Sequence, residues 1–128
     1  KSADLLLNIF APCAYEEFDR VLKEDGFLIK VVPLSEHLWE LKKAIYKEPY
    51  KNKPEIKNDE LFTLVDSKEL KYDITLETSE DIFNLFTMTP YYYKTSKEDT
   101  EKLLKLESLT TTVHFAIEIY KKVGKLNV

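Results

Sequence analysis

The apolar and polar positions in the first quarter of the chain switch between strand-like and helical patterns. Residues 4–10 form an almost continuous apolar run, which is typical of a central parallel strand buried on both faces. In residues 14–22 the apolar positions fall on one helical face, and residues 27–32 form a second apolar strand after Gly26, a natural turn residue. This order predicts a βαβ unit whose two strands are parallel.

The rest of the pattern predicts further helices and two more extended segments. Ser35 is expected to cap a helix that runs to Tyr46, and residues 47–60, with two prolines and many lysines, predict an exposed loop. The later elements are an extended segment at 61–77, a helix at 80–88 capped by Ser79, a helix at 97–107 capped by Ser96, and an alternating strand at 110–123. The order predicts an α/β fold with a mixed sheet whose last strand is antiparallel.

Length and composition exclude several classes of protein. A chain of 128 residues is the size of one domain, and a net charge of −4 does not indicate a general nucleic-acid-binding surface. No apolar run approaches the length needed to span a membrane. With Cys13 as its single cysteine, the chain cannot form an internal disulfide or a Cys-based zinc site, and its two glycines leave no room for a dinucleotide or phosphate loop.

Several phrases of the sequence occur in the order and at the intervals found in one enzyme family. They are DLLLNIFAPC, EFDRVLKEDGFLIKVVP, HLWELKKAIY, LFTMTPYYYK and VHFAIEIYKK. Over nearly its whole length the chain therefore resembles the bacterial large-subunit (23S) rRNA guanine-N1 methyltransferases. IFAPC, HLWELK and MTP are the specific parts of the resemblance. RVLKEDGFLI is shared by methyltransferases in general, which often have a second glycine at the position of Asp25.

The resemblance implies a Rossmann-like, S-adenosylmethionine-dependent methyltransferase domain, of which residues 1–128 would be the C-terminal half. Family members begin with a Cys-rich zinc-binding domain and a glycine-rich cofactor motif, and neither can be placed in this sequence. The implied cofactor of the intact enzyme is S-adenosylmethionine, with zinc only in the N-terminal domain. The implied partner is large-subunit rRNA, in the cytoplasm and without a membrane. The 128 residues alone are expected to be inactive and to self-associate through an exposed sheet edge.

Two other classes of function fit the same half-fold. One is a non-catalytic interaction module, and the other is a methyltransferase for a small molecule. A Cys-rich segment and a glycine-rich strand-turn-helix encoded upstream of Lys1 would favour the rRNA enzyme over both.

The segment NIFAPC is the first candidate site because it follows the first strand directly. In open parallel sheets, ligands bind beyond the carboxyl ends of the strands, and in related base methyltransferases this strand end separates the cofactor from the target base. Asn8 could hydrogen-bond a guanine, Phe10 could stack on it, and Pro12 would make the turn rigid. These three residues are the candidates for the catalytic group, and the general base is not identified. The alternative is that Phe10 belongs to the core and that Pro12 merely starts the helix.

His37 is the second candidate, in the first turn after the second strand. The resemblance, close at HLWEL, implies that this histidine contacts S-adenosylmethionine. The alternatives are a capping or surface histidine and, with Glu40 at a suitable spacing, a metal ligand, although two ligands alone are weak evidence. His114, in the last strand, is expected to be a buried histidine without an acidic partner.

The segment MTPYYYK is the third candidate, on the substrate side. Met88, Thr89, Pro90 and Tyr91 would border the target site, because a base inside an rRNA hairpin must be turned out before its N1 edge can be reached. The consecutive tyrosines offer stacking surfaces, although at least one is expected to pack beneath the loop. A lysine-rich segment could also contact RNA phosphates or be merely solvated; its lysines are Lys42, Lys43, Lys47, Lys51, Lys53 and Lys57.

Overall fold

A computed structural model of the chain describes residues 1–46, 49, 51 and 60–123. Most of the predicted loop at 47–60 lies outside these residues. The chain divides into two compact units, which are described separately below. The first unit comprises Lys1–Leu34, Pro54–Leu70 and Phe115–Val128, and the second comprises Ser35–Lys53 and Lys71–His114.

The described residues form an α/β structure. In chain order the elements are β1 (Ala3–Ile9), α1 (Tyr15–Val21), β2 (Leu22–Pro33), α2 (Trp39–Ile45), β3 (Phe62–Leu76), α3 (Ser79–Thr87), a 3-10 helix (Pro90–Lys94), α4 (Lys97–Leu104) and β4 (Leu109–Lys122). Among the described residues no helix is long and apolar enough to cross a membrane.

The strands form one mixed sheet in the order β1-β2-β4-β3. β1 and β2 are parallel, with Leu7 opposite Ile29, which confirms the predicted βαβ unit. β2 and β4 are antiparallel, with Ile29 opposite Ile119, which confirms that the last strand runs against the parallel pair. The carboxyl ends of β1 and β2 therefore lie at the same edge of the sheet.

The core of the first unit lies on the side of the sheet that α1 covers. Leu22, Leu28 and Tyr120 form its buried cluster, and Phe18 of α1 packs against it. The opposite face of β1 is exposed, with Leu7 61% accessible. The expectation that β1 is buried on both faces is therefore wrong for this chain, because β1 is the edge strand of the described sheet and α1 covers only one side of it.

Gly26 does not have the role that its position suggested. It lies inside β2 and has an ordinary backbone conformation, whereas its neighbour Asp25 adopts the left-handed region at φ 66°. A Cβ atom at Gly26 would lie 2.8 Å from the carbonyl oxygen of Lys23 and 3.0 Å from the side chain of Leu22. Gly26 is thus required for close packing and not for a positive φ.

The core of the second unit is built by its helices. Leu41 and Ile45 of α2 pack with Ile82 and Phe86 of α3 and with Leu103 of α4. The periodic apolar positions of each helix supply these contacts, so the helical patterns predicted the core side chains correctly.

The helix starts in the second unit follow prediction in part. Ser96 caps α4 as predicted and accepts a hydrogen bond from the Asp99 backbone N–H. Thr78, and not Ser79, caps α3. Ser35 does not cap α2, because α2 begins at Trp39 after Leu38, which has a left-handed φ of 53° and is tied to β4 through a 2.7 Å bond to the Thr112 carbonyl oxygen.

Candidate functional site

The first candidate segment is a closed turn at the end of β1. Asn8 is buried, its Nδ2 donates to the Pro12 carbonyl oxygen at 3.0 Å, and its Oδ1 faces the Cys13 Sγ at 3.8 Å. Both ends of the amide are therefore used within the turn itself. Asn8 fixes the path of the chain from β1 into α1, a role that the sequence alone did not indicate.

Phe10 is the exposed member of the same turn. Its backbone has a positive φ of 48°, which is unusual for a residue with a large side chain, and its N–H donates to the Val31 carbonyl oxygen at 3.0 Å. Its ring is half exposed and meets Phe115 edge-on, with 6.1 Å between the ring centroids. Strained backbone of this kind persists only where the surroundings impose it. The turn thus presents an accessible aromatic face at the carboxyl end of β1.

A buried lysine lies behind this turn, and the sequence analysis missed it. Lys30 is opposite Asn8 on β1 and opposite Glu118 on β4, and it is fully buried. Its Nζ donates to the Tyr15 hydroxyl at 2.5 Å and lies over the rings of Tyr15 and Tyr120, 5.0 Å and 5.9 Å from their centroids. The signal was available, because Lys30 is the single charged position in the apolar run FLIKVV.

The two tyrosines around Lys30 titrate at high pH. Burial raises the pKa of Tyr15 to about 12, against the opposing effect of the Lys30 ammonium. Burial, together with the nearby carboxylate of Glu118, also raises the pKa of Tyr120. Both hydroxyls therefore stay protonated at neutral pH, and Tyr120 donates to the Glu118 Oε1 at 3.1 Å. Cation–π contacts and a hydrogen bond thus stabilise the Lys30 ammonium on the side of the sheet that α1 covers.

In the second unit, His37 is held by β4. The backbone N–H of His114 donates to the His37 Nδ1 at 3.1 Å, and the Glu36 N–H donates in turn to the His114 Nδ1 at 3.2 Å. Because the Nδ1 of His37 accepts a hydrogen bond, the neutral form of this imidazole carries its proton at Nε2. This reciprocal pair fixes the turn at 35–38 against the strand and explains why α2 starts later than predicted.

The environment of His37 favours its neutral form. Burial lowers the pKa of His37 to about 4, and the electrostatic effects of Lys42 and His114 act in the same direction. His37 is therefore an uncharged hydrogen-bond donor at neutral pH and a weak base.

Glu40 is engaged in structure. Its Oε1 accepts hydrogen bonds from the Thr112 backbone N–H at 2.8 Å and from the Thr111 hydroxyl at 3.2 Å. Over the part of the chain that the structure describes, no group of three or more His, Cys, Asp or Glu side chains could hold a metal ion. The two hydrogen bonds of Glu40 attach α2 to β4.

Lys42 belongs to the interior and not to the lysine-rich loop. It is fully buried in α2, and its Nζ lies 5.3 Å from the centroid of the Tyr91 ring. Burial lowers the pKa of Lys42. Tyr91 also meets Tyr46 edge-on at 6.2 Å. Lys42 thus contacts Tyr91, which was predicted for the substrate side, and acts electrostatically on His37, which was predicted for the cofactor.

The predicted substrate segment is half buried and half exposed. Thr89 is buried and donates to the Phe86 carbonyl oxygen at 2.7 Å, and Tyr91 packs into the core. Met88 and Pro90 are exposed, and Tyr93 in the same segment is 86% accessible. The accessible surface of this segment therefore comes from Met88, Pro90 and the successive residues 92–94.

Trp39 is flanked by two of the predicted RNA-contacting lysines. The Nζ atoms of Lys43 and Lys51 lie 5.9 Å and 5.3 Å from its ring, and Lys51 also pairs with Glu36 at 2.8 Å. Lys47, Lys53 and Lys57 lie outside the described residues. The described lysines thus form an aromatic and basic surface patch only around Trp39.

Comparison with known proteins links the chain to rRNA methyltransferases. A curated protein of Bacillus subtilis (strain 168) is 36% identical over 127 residues, which cover 93% of this chain and 44% of that protein. A protein of Micromonospora griseorubida is 54% identical over 37 residues, which cover 29% of this chain and 12% of that protein. Both are named "Putative 23S rRNA (guanine-N(1)-)-methyltransferase", the first with the addition YxjB.

These relatives confirm the resemblance seen in the sequence: the chain is a homologue of the proteins named as 23S rRNA guanine-N1 methyltransferases. It spans less than half the length of each of the two curated relatives. No protein-family model matches the chain.

Proposed function

We propose that this chain is the C-terminal half of the catalytic domain of an rRNA guanine-N1 methyltransferase, with a Rossmann-like fold. The observation that carries the proposal is the 36% identity to the Bacillus subtilis relative over 93% of the chain. The parallel β1–β2 pair and the antiparallel β4 support it, since they agree with the expected second half of such a domain. The implied substrate is large-subunit rRNA, and the implied location is the cytoplasm.

Phe10 is the residue that we assign to the target base. Its ring is half exposed at the carboxyl edge of the parallel strands, where ligands of open sheets bind. An aromatic ring at such a place can stack on a flipped guanine, and base–aromatic stacking contributes about 1–3 kcal/mol. Asn8 and Pro12 position this ring through the backbone of the turn, because the Asn8 amide donates a hydrogen bond to the Pro12 carbonyl oxygen and is not directed outward.

His37 is the residue that we assign to the cofactor. The implied cofactor, S-adenosylmethionine, supplies a methyl group on a positively charged sulfur when it is bound. An imidazole that stays neutral at pH 7 does not repel such a cation, and its Nε2–H can donate to a cofactor oxygen or nitrogen. The donor chemistry of His37 therefore fits the cofactor.

His37 is poorly suited to act as the general base of the reaction. Guanine N1 carries a proton near neutral pH, and a base must accept it for methyl transfer at that atom. A side chain whose pKa is lowered to about 4 is a weak proton acceptor. The low basicity of His37 thus supports a binding role and leaves the general base outside this residue.

Met88 and Pro90, with the exposed ring of Tyr93, are assigned to the rim that faces the RNA. All three are accessible, and Tyr93 adds a stacking surface beside Lys94. Thr89 and Tyr91, the buried members of the segment, support this rim from inside the second unit.

The assignments to Phe10 and His37 can be tested in a chimera in which these 128 residues replace the matching segment of the Bacillus subtilis relative. Phe10→Ala should lower kcat/KM for rRNA about 10-fold or more with little change in cofactor affinity, because stacking is lost. His37→Ala should weaken S-adenosylmethionine binding in calorimetry. Leu64→Ala, a half-exposed apolar residue of β3, is the control. Unchanged methylation and unchanged cofactor affinity in the two variants would contradict the assignments.

A further inference from the structure

A series of hydrogen bonds links a buried charge on β2 to the turn after β1. The fully buried ammonium of Lys30 donates to the Tyr15 hydroxyl at 2.5 Å. The Tyr15 hydroxyl is also hydrogen-bonded to the Cys13 thiol. The Cys13 Sγ lies 3.8 Å from the Asn8 Oδ1, and the Asn8 Nδ2 donates to the Pro12 carbonyl oxygen at 3.0 Å. The bonds therefore run without a break from β2 into the turn.

The ammonium fixes the direction of every bond in this series. A lysine ammonium is a donor only, so the Tyr15 oxygen accepts from it and the Tyr15 proton remains available to the Cys13 sulfur. The Cys13 S–H then points to the Asn8 Oδ1, which can only accept. This leaves the Asn8 Nδ2 to donate into the turn. Reversal of any bond would place two donors against each other inside the protein, which is costly.

The turn that these bonds reach contains a strained residue. Phe10 has a positive φ of 48°, and such a conformation persists only where the surroundings impose it. The bond from the Phe10 N–H to the Val31 carbonyl oxygen fixes one side of the turn, and the bond from Asn8 to Pro12 closes the other side. The second constraint depends on the orientation of the Asn8 amide, which the Cys13 thiol sets through Oδ1. The buried end of the series therefore influences the geometry of the turn.

We propose that Lys30 is a positioning residue for the turn that presents Phe10. It acts through the hydrogen bonds of Tyr15, Cys13 and Asn8, and it does not itself contact a substrate because its side chain is fully buried. The functional consequence rests on the proposed function, in which Phe10 stacks on the target base. The competing explanation is that the Lys30 cluster only stabilises the fold, with no particular effect on the turn.

The rate at which iodoacetamide labels Cys13 tests this connection in the 128-residue chain. Cys13 is the single cysteine and is half-buried, so its labelling reports opening of the turn. Tyr15→Phe, which keeps the ring and removes the hydroxyl, should raise the rate about 10-fold, because loss of a buried hydrogen bond shifts an opening equilibrium by about that factor. Lys30→Met should do the same. Each rate is divided by that of the same variant unfolded in urea, which removes the intrinsic reactivity of the thiol.

Tyr120→Phe is the matched control for these two variants. It removes a hydroxyl from the other buried ring beside the Lys30 ammonium, but this hydroxyl is bonded to Glu118 and not to the turn. An increase in Tyr15→Phe and Lys30→Met but not in Tyr120→Phe supports the proposal. An equal increase in all three variants, as labelling through global unfolding would give, or unchanged rates would overturn it. If circular dichroism shows that Tyr15→Phe does not fold, Lys30→Met is compared with the control in its place.

Methyl transfer by the chimera tests the functional consequence. Cys13→Ala interrupts the series and should lower kcat for rRNA about 10-fold without a change in cofactor affinity, because a small displacement of a positioned group slows the reaction strongly. Cys13→Ser, which keeps a donor and an acceptor, should rescue kcat. Equal kcat values of these two variants in an active chimera would overturn the positioning role. A chimera that is inactive without substitution would contradict the proposed function instead, and the labelling rates would still decide the role of Lys30.

Discussion

Buried polar groups decide the roles of individual residues in this protein. Asn8 uses both ends of its amide within the turn after β1, and His37 accepts a hydrogen bond from β4. Lys30 and Lys42 are fully buried charges whose ammonium groups face aromatic rings. Asn8, Lys30 and Lys42 are buried, and His37 is half-buried. A buried polar group must be satisfied locally, so its first role is to fix the structure around it.

The protonation of His37 is the most direct residue-scale test. We expect an NMR titration of its imidazole to give a pKa of about 4, because burial and the electrostatic effects of Lys42 and His114 disfavour the cation. The folded pKa lies below the ordinary value of 6.5, so the unfolded chain binds more protons between these limits. The contribution of His37 to stability should therefore fall as the pH decreases from 6.5 to 4.

The same shift should appear in unfolding experiments. Because the ring is partly solvated, we expect a loss of about 1–2 kcal/mol from His37 over this pH range. His37→Asn, whose Oδ1 takes the place of the Nδ1 acceptor, should remove this part of the pH dependence. A His37 pKa near 6.5, or an equal pH dependence in the variant, would contradict the described environment.

Asn8 provides a second test at this scale. Asn8→Asp removes the N–H donor to the Pro12 carbonyl oxygen and places a carboxylate beside it. We expect the free energy of unfolding in urea to fall by about 1–3 kcal/mol. Asn84→Asp, at an exposed position of α3, is the matched control and should change stability by less than about 1 kcal/mol. Equal effects at the two positions would show that the turn does not depend on Asn8.

At the scale of elements, the sequence predicted what local patterns determine. The parallel pair of strands and the Ser96 cap follow from periodicity, connection and capping rules, whereas the antiparallel last strand follows from the match between the order of elements and a methyltransferase fold. The start of α2 did not, because the bond from the His114 N–H to His37 joins residues 77 positions apart. The positive φ at Asp25 was missed because Gly26 is the residue that ordinarily takes it.

The site was predictable to a similar extent. The exposed ring of Phe10 agrees with its expected place at the strand end, since an apolar run interrupted by proline indicates where a strand stops. The buried states of Lys42 and Lys30 were not foreseen, because a lysine is almost never fully buried unless specific partners compensate its charge. These partners, Tyr91 and Tyr15, come from other elements of the fold.

The connection between α2 and β4 gives a prediction at this scale. Glu40→Ala removes the acceptor of the Thr112 N–H and the Thr111 hydroxyl, so the free energy of unfolding should fall by about 1–3 kcal/mol. Glu98→Ala, also in the first turn of a helix but exposed, is the matched control for the helix dipole. Urea unfolding of both variants measures the difference. A similar loss in the two variants would contradict the structural role of Glu40.

At the scale of the whole molecule, two observations support the proposal that the chain is part of a larger catalytic unit. The chain spans 44% of the length of its Bacillus subtilis relative, and β1 exposes an apolar row at the sheet edge. We propose that the residues for the target base and the cofactor act only together with the remaining part of such a relative. The 128 residues alone should therefore show no methyl transfer.

The most direct measurement of the central claim is the 1-methylguanosine content of 23S rRNA treated with the chimera and S-adenosylmethionine, determined by nucleoside mass spectrometry. The intact Bacillus subtilis relative and the 128-residue chain alone serve as controls. The account predicts that the chimera, like the intact relative, adds one methyl group at N1 of a guanine and that the chain alone adds none. A folded, cofactor-binding chimera that leaves rRNA unmethylated while the intact relative methylates it would contradict the account.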